Sequence, residues 1–314
     1  MNLVITGGLG HIGSYLIRHL DEYLKVDRIT VIDSLQTQRF VSLFDLRNKP
    51  HFSFIEKEVG LVTPEEIIKL GQVDCVIHLA ATTDASGTAN KRDELLKNNL
   101  GGTSSVIALC SELRIPLIFP SSTSVYGSQG SLVDEKCEEL YPQSPYAESK
   151  LMEEQAIQSA ASNGLAGVVL RLGTIHGVSP GMRFHTAVNR FCFQAANNLP
   201  LTVWKTALHQ YRPYLALDDA CRAMAHVITN KLYNGEVYNV LTANHTVDEI
   251  IQSIEAERGS PCKIDFVESQ IMNQLSYEVS NEKFRNTGFD FRGSLQSDVS
   301  DSMNLLSGIN NDRV

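Results

Sequence analysis

Residues 3–13 read Leu-Val-Ile-Thr-Gly-Gly-Leu-Gly-His-Ile-Gly, and residues 29–33 read Ile-Thr-Val-Ile-Asp. The run that ends at Thr6 is apolar and rich in β-branched residues, which is typical of a buried parallel strand. After the glycines, Ile12, Leu16 and Leu20 recur at helical spacing. These stretches predict a strand, a glycine turn, a helix and a second strand that ends in an acid.

The glycines and the acid of this unit predict a dinucleotide site. Gly7, Gly10 and Gly13 allow a tight turn and a close approach of the backbone to a pyrophosphate, which the N–H groups at the start of the helix would bind. The Asp33 carboxylate would accept hydrogen bonds from the adenosine ribose and repel a 2′-phosphate, which favours NAD. The alternative is a glycine turn with a purely structural role.

The composition is that of an ordinary globular protein of 314 residues, with 43% hydrophobic and 20% charged residues. A net charge of −9 argues against nucleic acids and anionic membranes as partners. The six cysteines are scattered without a Cys-x-x-Cys pair or metal-ligand spacing, so we expect free thiols and no metal. No stretch approaches the ~20 apolar residues that span a bilayer, and the first residues do not resemble a signal peptide. We therefore expect a cytoplasmic protein.

Strands alternate with helices through the first part of the chain, which predicts an α/β fold with a doubly wound, mostly parallel sheet. A long helical pattern covers residues 94–113, and we expect Gly101 and Gly102 to interrupt it. A second long helix is predicted over residues 146–161, directly after a loop rich in glycine, acids and proline.

The strict alternation fades from about Thr174, which divides the chain into two predicted domains. We expect residues 1–173 to form the dinucleotide-binding domain, which also receives elements from about 205–240. Residues 174–314 are expected to form mainly a smaller α/β lobe that binds the substrate.

The predicted helix start at Tyr146 carries a candidate for acid–base chemistry. Tyr146 and Lys150 are four residues apart, so both side chains lie on one face of the helix. A nearby ammonium lowers the pKa of a phenol and suits it to proton transfer. Ser122 ends the preceding strand at the carboxyl edge of the sheet, where such sheets bind ligands. The alternative is a packed tyrosine beside an exposed lysine, and for His78 we expect a hydrogen-bonded structural role.

Several motifs stand together in an order and spacing that resembles the extended short-chain dehydrogenase/reductase family. They are Gly7-x-x-Gly10-x-x-Gly13, the strand end at Asp33, His78-Leu79-Ala80-Ala81, Asn98-Asn99-x-x-Gly102-Thr103, Ser122-x-x-Val125-Tyr126-Gly127 and Tyr146-x-x-x-Lys150. Within that family the chain is similar to the NAD-dependent nucleotide-sugar epimerase/dehydratase branch, of which UDP-glucose 4-epimerase is typical. The resemblance covers residues 1 to about 220 and implies a Rossmann-type sheet.

This resemblance implies roles for individual residues. Tyr146 would remove a proton from a sugar hydroxyl while hydride passes to the nicotinamide of NAD. Lys150 would hold the nicotinamide ribose and lower the pKa of Tyr146, and Ser122 would contact the sugar oxygen. Arg212 would contact the diphosphate of a nucleotide-diphosphate sugar.

The implied contacts fall into two groups. Candidate cofactor contacts are Gly7, Gly10, His11, Ile12, Gly13, Asp33, Ser34, Glu58, Val59, Leu79, Ala80, Ala81, Thr83, Asn98, Asn99, Ser121, Tyr146, Lys150 and Gly173. Candidate substrate contacts are Thr123, Thr174, Arg183, Asn189 and Arg212.

The residues after Ser122 bear on the reaction. Dehydratases of the family follow the catalytic Ser or Thr with an Asp-Glu pair, and decarboxylases usually keep the Glu. Thr123 and Ser124 stand at those positions here, which disfavours dehydration and decarboxylation.

The main prediction is therefore an NAD-dependent epimerase that acts at C4 through a transient keto sugar. A 4-ketoreductase is the first alternative, although such enzymes commonly use NADPH, which Asp33 would repel. A 4,6-dehydratase is a weaker alternative. A non-catalytic dinucleotide sensor on the same fold is the alternative from another class, and the set of Ser122, Tyr146 and Lys150 argues against it.

The two long helices also predict an assembly. They carry apolar residues beyond one face, among them Leu100, Val106, Leu109 and Met152. In the family the equivalent helices form a four-helix bundle between two subunits, so we expect a homodimer.

Overall fold

The structure is a computed structural model that describes residues 1–48, 50–83, 92–268 and 277–308. Its strands, in chain order, are β1 (Asn2–Thr6), β2 (Arg28–Asp33), β3 (His51–Glu56), β4 (Cys75–His78), β5 (Leu117–Ser122), β6 (Gly167–Leu172), β7 (Thr174–His176), β8 (Leu201–Trp204), β9 (Arg212–Ala216), β10 (Val237–Val240), β11 (Ala243–His245) and β12 (Ile264–Val267).

Seven of these strands form one sheet in the order β10-β6-β5-β4-β1-β2-β3. Every neighbouring pair in it is parallel. The chain runs from β1 to β2 and β3 on one side and from β4 to β5 and β6 on the other, so the direction of winding changes between β1 and β4. The predicted α/β fold with a doubly wound parallel sheet is confirmed.

Some helices cover the two faces of this sheet, and others pack in a separate core formed by the second half of the chain. In chain order the α-helices are α1 (His11–His19), α2 (Pro64–Ile68), α3 (Arg92–Leu113), α4 (Pro145–Ser162), α5 (Ala187–Ala196), α6 (Leu217–Asn230), α7 (Val247–Arg258), α8 (Glu282–Arg285) and α9 (Leu295–Leu305).

The side chains of β1 show how the sheet divides the core. Leu3 and Ile5 point to one face and pack in a cluster with residues of α1 and α6. Val4 points to the other face and packs in a second cluster with residues of α3 and α4. All three are at most 2% exposed. Burial on both faces explains why β1 is continuously apolar instead of alternating.

The expected interruption of α3 at Gly101 and Gly102 is wrong, because the helix runs unbroken from Arg92 to Leu113. A Cβ at Gly102 would lie 2.9 Å from Cγ1 of Val59, whereas a Cβ at Gly101 would meet nothing within 4 Å. Gly102 therefore allows α3 to pack closely against the turn at Val59, and Gly101 has no such contact.

This difference predicts opposite effects of two alanine substitutions. Gly101→Ala should raise the free energy of unfolding by up to about 1 kcal/mol, because alanine favours a helix interior over glycine. Gly102→Ala should lower it by roughly 1–3 kcal/mol, because the added methyl displaces Val59. Urea unfolding of both variants checks this, and equal stabilisation by both would contradict the close-packing role of Gly102.

The second half of the chain builds its own small sheets and core. The strands β11, β9 and β7 form one sheet and β12 and β8 form another, and α5, α7 and α9 pack together beside them. By contrast, β10 pairs with β6 in the main sheet, and α6 packs against α1. Elements from the second half of the chain thus complete the main sheet and its helical layer. The domain limits at 173 and 174 stay a prediction.

No helix in the described part of the chain combines the length and the apolar character that crossing a membrane requires. Within the same described ranges, no group of three or more His, Cys, Asp or Glu side chains is arranged to hold a metal ion. All six cysteines are free thiols.

Candidate active site

A cleft of about 1240 Å³ opens at the carboxyl ends of the parallel strands. It spans the change of winding direction between β1 and β4, which is where open α/β sheets bind ligands. Most of the residues predicted for the site line this cleft. They are Gly7, Gly10, His11, Ile12, Gly13, Asp33, Ser34, Glu58, Val59, Leu79, Ala80, Ala81, Thr83, Asn98, Ser121, Ser122, Tyr146, Lys150, Gly173, Thr174, Arg183 and Arg212.

The glycine turn between β1 and α1 is packed so tightly that two of its positions have no space for a side chain. Gly7 has a φ of +65°, and a Cβ there would lie 2.5 Å from the Ala80 nitrogen. A Cβ at Gly13 would lie 2.5 Å from Cα of Gly8. Gly10 caps α1 without a side-chain hydrogen bond, so the first N–H groups of the helix are available to an anion. This cradle fits the pyrophosphate of a dinucleotide.

Asp33 ends β2 and is held by the backbone. Its Oδ2 accepts a hydrogen bond from the Leu9 N–H at 3.1 Å, and its Oδ1 accepts one from the Leu35 N–H at 3.0 Å. Each carboxylate oxygen has a second lone pair that a ribose hydroxyl can use. A carboxylate fixed at this point fits the ribose of NAD and disfavours a 2′-phosphate.

The segment that follows β7 packs closely against the glycine turn. A Cβ at Gly181 would lie 2.5 Å from the carbonyl oxygen of Gly10. The Gly181 N–H donates to Ser14 Oγ at 2.9 Å, and Nη1 of Arg39 donates to the Gly181 oxygen at 2.9 Å. Parts of the chain from both halves therefore close the cleft beside the cradle.

Two buried histidines beside the cleft are neutral. His11 Nε2 lies 2.9 Å from the Gly177 oxygen, and burial lowers the pKa of His11 to about 4. His78 bridges Thr6 Oγ1 at 2.7 Å and Thr103 Oγ1 at 3.0 Å, and burial lowers its pKa to about 3. The predicted structural role of His78 is confirmed.

The start of α4 fixes Tyr146 and Lys150 in the cleft. Ser144 Oγ accepts a hydrogen bond from the Ala147 N–H at 3.1 Å, and Pro145 begins the helix, as expected for a capped N-terminus. Tyr146 lies in the first turn and Lys150 one turn later, with Nζ 5.9 Å from the centre of the Tyr146 ring.

The acidity of Tyr146 reflects its burial and the charges around it. Burial has the largest effect and raises the pKa of Tyr146 above the ordinary value of 10.0. The positive charges of Lys150 and Arg183 lower this pKa, and the negative charge of Glu153 raises it. Lys150 therefore acts in the predicted direction, but in the protein without ligands burial outweighs it. Tyr146 is a neutral phenol at neutral pH in that state and can donate a proton.

Ser122 is prepared to donate a hydrogen bond into the cleft. Its Oγ accepts from the Ser124 N–H at 3.2 Å and from Ser124 Oγ at 2.9 Å. Because both contacts use the Ser122 oxygen as acceptor, its own O–H remains for a ligand oxygen. Ser122 and Tyr146 line the same cleft from β5 and α4.

Asn99, a predicted cofactor contact, does not line the cleft in this structure. It is 2% exposed, its Nδ2 donates to the Thr82 oxygen at 3.1 Å and to Ser149 Oγ at 3.0 Å, and its Oδ1 accepts from the Thr82 N–H at 2.8 Å. Its amide is thus used to join the segment after β4 to α4, and the neighbouring Asn98 lines the cleft instead.

Two predicted substrate contacts also lie behind the cleft wall. Thr123 is buried and its Oγ1 donates to the Leu172 oxygen at 3.3 Å. Asn189 is fully buried on α5, and its Nδ2 donates to the Arg183 oxygen at 3.0 Å. Their hydrogen bonds support cleft residues rather than reaching into the cleft.

Among the described residues, four arginines line the cleft of this acidic protein: Arg39, Arg183, Arg190 and Arg212. The Arg212 guanidinium carbon lies 5.8 Å from the centre of the Trp204 ring, which is also part of the wall. Guanidinium groups suit a diphosphate because their paired N–H donors match its oxygens. Arg39 and Arg190 were not predicted from the sequence. The signal for Arg190 is its charge within an otherwise apolar helical pattern, and Arg39 has no such signal.

Comparison with known proteins agrees with this geometry. The model of the NAD dependent epimerase/dehydratase family matches residues 3–240. An uncharacterized UDP-glucose epimerase of Bacillus subtilis is 28% identical over 274 residues, which are 85% of each chain. A dTDP-D-glucose 4,6-dehydratase of Dictyostelium discoideum is 29% identical over 76% of this chain and 58% of its own.

A solved structure of UDP-glucuronic acid 4-epimerase from Bacillus cereus, in complex with UDP-glucuronic acid and NAD, superposes with a TM-score of 0.85 over 98% of this chain and 99% of that one. At 24% identity this likeness concerns the fold. The chain spans about half the length of the first curated relatives it matches, between 44% and 58%.

Proposed function

Because the chain belongs to the NAD dependent epimerase/dehydratase family, we propose that it is an NAD-dependent nucleotide-sugar epimerase acting at C4 of the sugar. One observation carries the proposal: Ser122, Tyr146 and Lys150 line the same cleft as the glycine turn and Asp33. An acid–base group thus shares one space with a cradle for a dinucleotide. This arrangement also speaks against a protein that only senses the dinucleotide.

The proposed chemistry is a proton transfer coupled to a reversible oxidation. Tyr146 removes the proton of the reacting sugar hydroxyl and returns it when the opposite configuration forms. Tyr146 therefore begins and ends the cycle as a phenolate, which Lys150 stabilises, and it is a neutral phenol while the keto sugar is present. Ser122 donates a hydrogen bond to the same sugar oxygen. Tyr146 ends the cycle in the protonation state in which it began, as an isomerisation requires.

The cofactor of the family fits the residues present. NAD carries a nicotinamide ring, which is a reversible hydride acceptor. We propose that the glycine turn and the start of α1 hold its pyrophosphate, Asp33 its adenosine ribose and Lys150 its nicotinamide ribose. The cleft contacts predicted from the sequence, including Glu58, Leu79, Ala80 and Gly173, belong to the same proposal.

The substrate is proposed to be a nucleotide-diphosphate sugar. The arginines of the cleft lining, Arg183, Arg190 and Arg212, support this, since a diphosphate needs several cations in an otherwise acidic protein. The names of the relatives support it too, because they include a UDP-glucose epimerase and a UDP-glucuronic acid 4-epimerase.

A 4-ketoreductase and, less favoured, a 4,6-dehydratase remain the alternatives. The dehydratase has relatives in its support, but Thr123 and Ser124 provide no carboxylate after Ser122. Of the acidic residues among the described cleft lining, Asp33 and Glu58 lie at the dinucleotide end, and Glu94 lies at the start of α3. Water elimination would need an acid and a base beside the sugar.

We also propose a homodimer in the cytoplasm, as the sequence predicted. Fewer apolar residues than the sequence suggested are available for the dimer interface, because Val106 and Leu109 are buried in the core of the subunit. Met152, which is 40% exposed on α4, remains available for such an interface.

The nucleotide released from the denatured protein tests the proposed reaction. We expect about one NAD per chain to survive purification and to be identified by mass, because an epimerase regenerates its cofactor in every cycle. Asp33→Asn keeps the shape of the side chain and removes its charge, so this control should bind NADPH more tightly than the parent protein does. A parent protein that is purified without a bound nucleotide and binds NADPH more tightly than NAD would contradict the proposal and favour the ketoreductase.

A further inference from the structure

Lys150 is paired with a carboxylate that the proposed mechanism does not use. Its Nζ lies 3.4 Å from Oε2 of Glu153, one turn further along α4, and the two side chains are only 4% and 0% exposed. On its other side Nζ lies 4.5 Å from the centre of the Phe119 ring. Two charges buried in this way interact strongly, because water does not screen them.

A chain of hydrogen bonds ends on Glu153 from the opposite side. Thr103 Oγ1 donates to Glu153 Oε1 at 2.5 Å. Because this uses the only proton of the hydroxyl, Thr103 must accept from His78 Nε2, which lies 3.0 Å away and therefore carries the proton. His78 Nδ1 then accepts from Thr6 Oγ1 at 2.7 Å, and Thr6 accepts from the Ala80 N–H at 3.3 Å.

All the donors of this chain point toward Glu153, and its far end is a backbone amide. A backbone amide does not exchange protons with substrate, so the chain cannot serve as a proton relay to the site. Its consistent direction instead stabilises a negative charge on Glu153. It joins β1, β4, α3 and α4, and therefore fixes this carboxylate relative to the sheet that forms the cleft.

We propose that Glu153 is a positioning residue that holds the Lys150 ammonium in place and, through its negative charge, opposes the effect of that ammonium on the acidity of Tyr146. The inference rests on the proposed roles of Tyr146 and Lys150. Without Glu153, a buried Lys150 would act on the phenol as an uncompensated cation. The structure thus contains a negative charge that, together with burial, limits how far the cations lower the pKa of Tyr146, because a phenolate of very low pKa would be a poor acceptor of the sugar proton.

The other charged groups around Tyr146 do not provide this balance. Arg183 acts from the segment after β7 and lowers the pKa of Tyr146 in the same direction as Lys150. His78, on β4, is neutral. Glu154, next to Glu153 on α4, is engaged by Arg171 of β6 at 2.7 Å. Glu153 is the group that opposes the cations among those acting on Tyr146.

The test is a titration of Tyr146 in the full chain with NAD bound. The near-ultraviolet phenolate absorbance is recorded against pH for four proteins: the parent, Glu153→Gln, Tyr146→Phe, and the double variant. Subtracting each Tyr146→Phe background isolates the one phenol, and circular dichroism at each pH verifies the fold. We expect Glu153→Gln to lower the pKa of Tyr146 by about one unit, since loss of a nearby negative charge favours the phenolate. An unchanged or raised pKa would overturn the proposal.

Two further variants separate charge from structure. Thr103→Val removes the donor to Glu153 but keeps the carboxylate, so it should reduce stability and leave the pKa of Tyr146 close to that of the parent. Glu153→Asp keeps the charge on a shorter side chain. The pKa of Tyr146 in this variant should therefore lie between the values in the parent and in Glu153→Gln. If Glu153→Gln does not fold, Glu153→Met takes its place, because it fills a similar volume without a charge, and an unchanged pKa of Tyr146 in that variant would contradict the proposal. The titration needs no substrate, so it stands apart from any failure to find epimerase activity.

Discussion

Tyr146→Phe is expected to reduce epimerisation by about 10²- to 10⁴-fold, which is the usual contribution of a positioned acid–base group. The substitution removes the hydroxyl that takes and returns the sugar proton and leaves the ring in place. Because Lys150 and the glycine turn are unchanged, NAD should remain bound. The measurement is the rate of interconversion of a UDP-, dTDP- or GDP-sugar pair, together with the NAD content of the purified variant.

A tyrosine on the loop before α4 provides the matched control. Tyr141 is 56% exposed and lies outside the cleft lining, so Tyr141→Phe should leave both the rate and the NAD content near those of the parent. A Tyr146→Phe variant that keeps full activity would refute the role assigned to this residue. A variant that loses NAD along with its activity would instead indicate a role in binding the cofactor.

The glycine turn and the Tyr146–Lys150 pair were readable from the sequence because each is determined locally. Gly7, Gly10 and Gly13 occupy one turn and the start of one helix, and the pair occupies successive turns of another. Spacing along the chain therefore sets their relative positions. The parallel sheet was predictable for a related reason, since the alternation of strands and helices leaves few other arrangements.

The side-chain positions that the sequence did not reveal depend on contacts between distant elements. Asn98 and Asn99 are adjacent and equally polar, yet Asn99 turns away from the cleft to bind Ser149 on another helix. Glu153 and Glu154 are adjacent as well, yet Glu153 pairs with Lys150 of the same helix and Glu154 pairs with Arg171 of β6. A side chain's direction and partner are fixed only when the elements pack, so spacing along the chain does not reveal them.

Replacing Glu154 tests whether the edge of the sheet beside the cleft depends on a buried ion pair. Glu154 and Arg171 are 1% and 6% exposed, and Glu154 Oε1 also accepts a hydrogen bond from Ser121 Oγ at 2.5 Å. Glu154→Gln should lower the free energy of unfolding by about 3–5 kcal/mol, because Arg171 would remain buried without its countercharge. Urea unfolding of the variant, with NAD removed so that ligand binding does not contribute, measures this loss.

The same substitution at Glu148 shows what burial adds. Glu148 is on the same helix and pairs with Arg92 of α3, but the two side chains are 33% and 49% exposed. Glu148→Gln should therefore cost less than about 1 kcal/mol, because water already screens the pair. Equal losses at Glu148 and Glu154 would contradict the argument from burial. A large loss at Glu154 alone would mean that the wall carrying Ser121 and Ser122 is held by a charge pair that never enters the cleft.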